Sequence, residues 1–233
     1  MLLNLRCSAV CAIGLALAAG SAAADVVYSD TEFATSTWGF ETLMGGTGGT
    51  SAASQVGGGN PGNARQLANT VNGGGSGEIY GFSRYGTTNA VGRYDPVVLG
   101  AISSVNWSID SKWLSGLGGQ GQAILFGAKQ GSFVYFADSD VTGSSGAWTA
   151  HGAVGLTAGS FQPLSAGAVP PLNFSATGAP IRFGFIVGNS GSFAYSNTVI
   201  YDNFNVRIVP SPGAAGLAGL AGLCGLRRRR ARR

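Results

Sequence analysis

Ser103-Ser104-Val105-Asn106-Trp107-Ser108-Ile109-Asp110 alternates apolar and polar side chains. Successive side chains of an extended strand point to opposite faces. Val105, Trp107 and Ile109 therefore share one face, and Asn106, Ser108 and Asp110 the other. A strand so divided is buried on one side and wet on the other, as in a two-layer antiparallel sheet protein.

The flanking sequence repeats this signal. Residues 122–127 and 132–137 read as strands on either side of Ala128-Lys129-Gln130-Gly131, a hairpin turn. Residues 181–187 form a nearly continuous apolar run, and 198–209 carry Phe204, Val206 and Ile208 on one side. Between 35 and 77 the chain reads mostly as turn chemistry, with glycine runs at 45–49, 57–59 and 73–75. Charge is sparse and good helix formers are scarce. The expected fold is all-β: an antiparallel two-sheet sandwich of jelly-roll type.

Both ends differ from this middle. Residues 1–24 read as a secretory signal: Arg6 supplies the positive start, 9–19 the apolar segment, and Ala22-Ala23-Ala24 a small-x-small cleavage site before Asp25. Residues 210–233 begin Pro210-Ser211-Pro212-Gly213, continue through an apolar run to Leu226, and end in Arg227, Arg228, Arg229, Arg230, Ala231, Arg232 and Arg233. The 14-residue run from 213 to 226 would rise about 21 Å as a helix, short of a hydrocarbon core of roughly 30 Å. Six arginines after it cross a bilayer only at high cost and act as a membrane stop, held on the cytoplasmic side. The expected organisation is a signal helix at 1–24, a β-sandwich ectodomain at 25–209, and a sorting and anchoring tail at 210–233 with a short apolar helix.

The tail resembles the PEP-CTERM sorting signal of Gram-negative bacteria. That signal joins a proline motif, a short apolar helix and a terminal arginine cluster. Pro210, Pro212, Gly213 and Arg227 to Arg230 match it, and Ser211 stands where Glu is usual. The resemblance implies signal peptidase and an exosortase-like enzyme as partners. It also implies a precursor anchored in the inner membrane, and a destination at the envelope surface or in extracellular matrix and biofilm.

Setting the ends aside changes the charge. Residues 25–209 carry seven Lys and Arg against ten Asp and Glu, a net charge of −3, although the whole chain is +4. The basic excess belongs to the termini, so no nucleic-acid partner is expected. Cys7, Cys11 and Cys224 all lie outside the domain, which therefore has no disulfide or cysteine metal site.

Asp30-Thr31-Glu32-Phe33, Thr37-Trp38 and the closing Tyr201-Asp202-Asn203-Phe204-Asn205-Val206 resemble jelly-roll carbohydrate-binding modules and their concanavalin-like relatives. The resemblance implies adjacent first and last strands and a sugar ligand. Aromatic rings stack on the apolar faces of sugars. Trp38 and Trp107 read as core, whereas Trp113 and Trp148, beside Ser/Gly turns, are stacking candidates together with Tyr80, Tyr85 and neighbouring Arg84.

Calcium is the one cofactor with candidate ligands. Asp30, Glu32 and Asp202 form one set: Asp202 shares the inward parity of Phe204 and Val206 unless a bulge intervenes, and a buried carboxylate needs a partner, which a cation or the region of Arg207 would supply. Asp138 and Asp140, in Asp138-Ser139-Asp140-Val141-Thr142-Gly143, form a second, but Thr149 stands where a calcium loop has its bidentate Glu, and a polar turn is the better reading. Gly57-Gly58-Gly59-Asn60-Pro61-Gly62 fits G-x-G-x-x-G, but reads as a loop rather than a dinucleotide turn. His151 is the single histidine, read as an exposed loop or strand residue, and no Gly-x-Ser-x-Gly elbow is present. No residue is assigned a catalytic role. The reading is a non-catalytic surface or matrix protein that binds polysaccharide. The alternatives are a self-associating adhesion protein without a sugar site and a secreted glycan hydrolase.

Overall fold

The computed structural model describes residues 24–46, 48–74, 77–87, 91–116, 121–165 and 167–211. The signal segment 1–23, with Ala22, and the tail 212–233, with Pro212, Gly213 and all six arginines, lie outside the described residues. Among the described residues no helix is long and apolar enough to cross a membrane.

The strands are β1 (Val26–Asp30), β2 (Trp38–Gly46), β3 (Gly49–Gly59), β4 (Gly62–Val71), β5 (Gly77–Tyr85), β6 (Arg93–Tyr94), β7 (Ile102–Gly116), β8 (Gln122–Gln130), β9 (Phe133–Thr142), β10 (Thr149–Leu156), β11 (Gln162–Pro163), β12 (Ile181–Gly191) and β13 (Tyr195–Pro210). A one-turn helix, α1 (Pro96–Leu99), is capped by the Asp95 side chain. The first sheet runs β10-β7-β13-β4-β3, with β1 also on β13; the second runs β11-β9-β8-β12-β5-β2, with β6 also on β12. All pairings are antiparallel. The fold is the expected two-sheet sandwich, and the first strand lies against the last.

The alternation in β7 has the predicted sense. Val105, Trp107 and Ile109 are buried between the sheets. Trp107 stacks on Phe126 (5.2 Å) and Phe126 on Phe183 (5.6 Å), a ladder that ties the two sheets together. A second aromatic group surrounds Trp38, whose ring lies 4.9 Å from Phe33 and 4.9 Å from Phe204. Offset and edge-on rings of this kind add about 0.5–1.5 kcal/mol per pair beyond burial.

Two expectations are corrected. The stretch 35–77 is not mainly turn: it holds β2, β3 and β4, three of the longer strands. The Gly, Ser and Ala side chains of β3 are too small to write an alternation, and β4 buries polar Arg65 and Asn69 on the same face as Leu67 and Val71, so its inward face does not read as apolar; backbone pairing does not need an apolar period. The 128–131 turn is shorter than expected. Gln130 pairs with Phe133, so only Gly131 and Ser132 connect β8 to β9. Gly131 takes the left-handed backbone (φ 62°) that a tight hairpin requires. Of 57–62, read as a loop, only Asn60 and Pro61 connect β3 to β4; Gly57 to Gly59 end β3 and Gly62 opens β4.

Candidate functional site

Strand β5 sets up the site. Its inward residues are Ile79, Gly81, Ser83 and Tyr85, so Tyr80, Phe82 and Arg84 face outward from the second sheet. Phe82 is fully buried there with Ile186, Leu125 and Val134, under Tyr80, Leu43, Phe136 and Leu164. This is a second apolar layer on the outer side of the sheet, separate from the core between the sheets. Tyr80 lies across Gly188: a Cβ at Gly188 would sit 2.6 Å from the Tyr80 ring. Glycine there lets the ring lie down on the strand.

Farther along the same face Arg84 lies over Gly39 and opens into a cleft of about 450 Å³, lined by Arg84, Thr87, Arg93, Lys129, Gly131, Ala179, Pro180 and Arg182. Glu41 holds one side, accepting from Lys129 Nζ at 2.6 and 2.8 Å, with Arg84 Nη1 at 3.6 Å. Arg93 pairs with Asp95 at 3.6 Å. Arg182 Nη1 donates to the Gly86 carbonyl at 2.8 Å. Burial, then the charges of Arg84 and Arg93, pull the Arg182 guanidinium below the ordinary arginine range.

The four predicted stacking residues do not converge. Tyr80 alone lies on this face. Tyr85, five residues on and of opposite parity, packs inward, its ring 5.7 Å from Tyr28 and 5.5 Å from Trp38. Trp113 is corrected from stacking candidate to core: β7 continues to Gly116, so its inward parity runs through Ser111 to Trp113, which is buried. Trp148 is half-buried just before β10, with Lys112 Nζ 5.9 Å from its ring centre. Arg93, Lys129 and Arg182 were not singled out from sequence. Only Arg84 was, and the alternation Tyr80-Phe82-Arg84 is the one signal that leads to this face.

The carboxylates are also placed. Asp30 Oδ1 accepts from the Glu32 and Phe33 amides (2.7 and 2.8 Å), and Oδ2 from Trp38 Nε1 at 2.9 Å. Both oxygens are thus occupied in fixing the turn after β1, and Asp30 is not grouped with Asp202. A bulge does intervene at Asp202: the β7–β13 register shifts between Asp202 and Asn205, and Asn203 has φ 54°. Tyr201 and Phe204 both enter the core, while Asp202 pairs with outward Asp110. The β3–β4 turn covers Asp202, the Asn60 amide donating to Oδ2 and the Asn203 amide to Oδ1. Burial raises the Asp202 carboxyl, and Asp110 and Glu32 raise it further, against the two amide bonds. Among the described residues no three His, Cys, Asp or Glu side chains form a metal-holding group. Asp138, at left-handed φ, accepts from Trp107 Nε1 at 3.1 Å.

His151 is not exposed, contrary to expectation. It lies on β10, paired with Ile109 of β7, and its side chain is 1% accessible. Its Nε2 is 2.7 Å from Ser111 Oγ and its Nδ1 2.7 Å from Asp140 Oδ2; Thr142 Oγ1 donates to Ser111. These are the distances of a Ser–His–Asp relay. The order of burial is inverted: the hydroxyl is fully buried and the carboxylate is 58% accessible. A nucleophile must be reachable by its substrate, so in this arrangement the chain of bonds clamps β7, β9 and β10 together.

No family model matches the chain, and no curated protein does. Among solved structures it is similar to the family 11 carbohydrate-binding module of Clostridium thermocellum in complex with a β-1,3-1,4-mixed-linked tetrasaccharide, at 15% identity over 82% of this chain and 98% of that one (TM-score 0.48). It is also similar to the CBM22-1 xylan-binding domain of Paenibacillus barcinonensis Xyn10C, at 11% identity over 82% and 99% (TM-score 0.41). A third similar structure is TmCBM27, a carbohydrate-binding module described for mannan recognition, at 10% identity over 80% and 99% (TM-score 0.40).

Proposed function

We propose that this chain is an exported, non-catalytic surface or matrix protein whose sandwich binds polysaccharide on the outer face of the second sheet. The observation that carries this reading is Tyr80, laid over Gly188 and followed on the same strand face by Arg84 and the cleft. A ring for the apolar face of a sugar beside fixed N–H donors for its hydroxyls is the combination such ligands need. Export and sorting rest on the sequence of the two ends. Signal peptidase cuts after Ala24, an exosortase-like enzyme reads Pro210-Ser211-Pro212-Gly213, and the arginines hold the precursor at the inner membrane.

The test is binding of the purified chain to a panel of polysaccharides, with and without EDTA. The expected result is binding that weakens about tenfold in Tyr80→Ala, in line with a stacking contribution of about 1.4 kcal/mol. Sensitivity to EDTA would assign calcium. A panel that the chain ignores overturns the sugar reading.

One observation favours self-association instead. β3 ends the first sheet, and its eleven residues carry no charge and no proline. Charges and prolines are what protect natural edge strands from pairing. Concentration-dependent growth in sedimentation, abolished by Ser54→Lys, would support that reading.

A further inference from the structure

Residues 25–209 carry seven cations, and four of them line one cleft: Arg84 from β5, Arg93 from β6, Lys129 from β8 and Arg182 from β12. Glu41 and Asp95 are the acids ion-paired to this group. Four positive charges against two leave a local excess of two on a domain whose net charge is −3. Nothing in the packing of a sandwich needs this. Three guanidiniums and an ammonium repel one another, and the depressed basicity of Arg182 reflects its burial first and then the charges of Arg84 and Arg93. An anion among them offsets both.

The shape selects the kind of anion. The remaining lining residues, Thr87, Gly131, Ala179 and Pro180, are small, which keeps the floor open. Guanidinium forks match the two oxygens of a carboxylate. Along β5, Arg84 lies four positions after Tyr80, roughly 13 Å at 3.3 Å per residue. A polymer on this face therefore meets an aromatic ring and then a cationic cleft. We propose that the cleft takes the carboxylates of an acidic polysaccharide, a uronate-type glycan, while a neighbouring sugar ring stacks on Tyr80. This rests on the polysaccharide-binding reading above and names the ligand class of that site. Arg84, Arg93, Lys129 and Arg182 supply the selectivity for charge, and Tyr80 the affinity for a sugar ring of either charge.

The experiment titrates the purified full-length chain with polygalacturonate, with the same polymer methyl-esterified to neutrality, and with inorganic phosphate, in 20 and 300 mM NaCl. The expected result is that polygalacturonate binds at least tenfold more tightly than its ester. Its affinity falls at least tenfold in high salt, because ions screen such contacts, and at least tenfold in the double variant Arg93→Gln/Arg182→Gln. Circular dichroism checks that this variant folds, and because the terminal arginines also attract polyanions in a salt-dependent way, the loss in the variant is what assigns the contact to the cleft: undiminished, salt-sensitive binding by the folded variant overturns the cleft inference. Equal binding of acid and ester, insensitive to salt, overturns the charge inference and leaves the polysaccharide reading standing. Binding of neither polymer overturns that reading as well. Phosphate binding without polymer binding assigns the cleft to small anions and overturns the glycan inference.

Discussion

Arg65 is the residue most at odds with its surroundings. It projects from β4 into the sandwich, is 2% exposed, donates Nε to Ser83 Oγ at 2.8 Å and lies 5.5 Å over the Trp38 ring. Burial pulls its guanidinium down to about 10, partly offset by the charge of Asp30. The charged form is therefore costly here, and the side chain is retained through its bond to Ser83, its contact with Trp38 and the packing of its stem. Arg65→Ala removes all three and leaves a cavity beside Trp38. The expected loss is about 3 kcal/mol. Arg65→Met keeps the stem and relieves the buried charge, so its expected loss is under about 1.5 kcal/mol. Urea midpoints of the two variants check this order, and equal losses would mean that the charge, not the packing, holds the site. No pattern in the sequence foretells a buried arginine, because its parity in β4 is hidden among Ala64, Gln66 and Ala68.

At the scale of the element, β13 carries the first sheet. It has β7 along one edge, and β4 then β1 along the other. Its bulge decides what Asp202 does. Without the extra residue, Asp202 would keep the parity of Phe204 and enter the core as an unpaired carboxylate. With Asn203 at φ 54°, Tyr201 and Phe204 both turn inward, and Asn203 Nδ2 donates to Asp110 at 2.8 Å and to the Asn60 carbonyl at 3.0 Å. A β-branched residue resists this backbone conformation. Asn203→Val is expected to cost about 3 kcal/mol, from strain plus the lost bonds, and Asn203→Gly less, because glycine accepts the backbone. Thermal midpoints measure the difference. Strands whose alternation is written in large side chains, β7, β12 and β13, were legible from sequence. β3 and β4 were not: the Gly, Ser and Ala of β3 write no period, and the inward face of β4 includes the polar side chains of Arg65 and Asn69. The candidate site was legible only as Tyr80 and Arg84: Arg93, Lys129 and Arg182 come from three other strands, and only the pairing order brings them together.

For the whole molecule, the polar groups between the sheets decide how it responds to pH. Among the described residues every buried side-chain polar atom has a hydrogen-bond partner. One such network joins Asn69 and Tyr201 of the first sheet to Asn189 and Gln122 of the second, through bonds of 2.6 to 3.0 Å. It contains no acid and is indifferent to pH. The second, Thr142–Ser111–His151–Asp140, ends in a carboxylate. The His151 bond, with the Val141 amide, holds Asp140 below its ordinary value of 3.8. A carboxyl whose folded value is depressed adds stability above its unfolded value and loses that contribution as pH falls through the folded one. Asp202 has the opposite sign. Its raised value means that the ionised form is penalised at neutral pH, and protonation as the pH falls relieves the penalty. The two terms oppose each other on acidification, and Asp202 responds first because it titrates higher. Asp140 is therefore expected to contribute its stabilisation above its ordinary value of 3.8 and to lose it as the pH falls below that, when it is protonated and the β9–β10 clamp loosens. Asp140→Asn should lower stability at pH 7, where the carboxylate is ionised, and leave it nearly unchanged below the folded value, so that the curves of variant and parent converge in acid. Urea midpoints from pH 2 to 8 test this. A constant gap between the curves would place the contribution of Asp140 in packing rather than in charge.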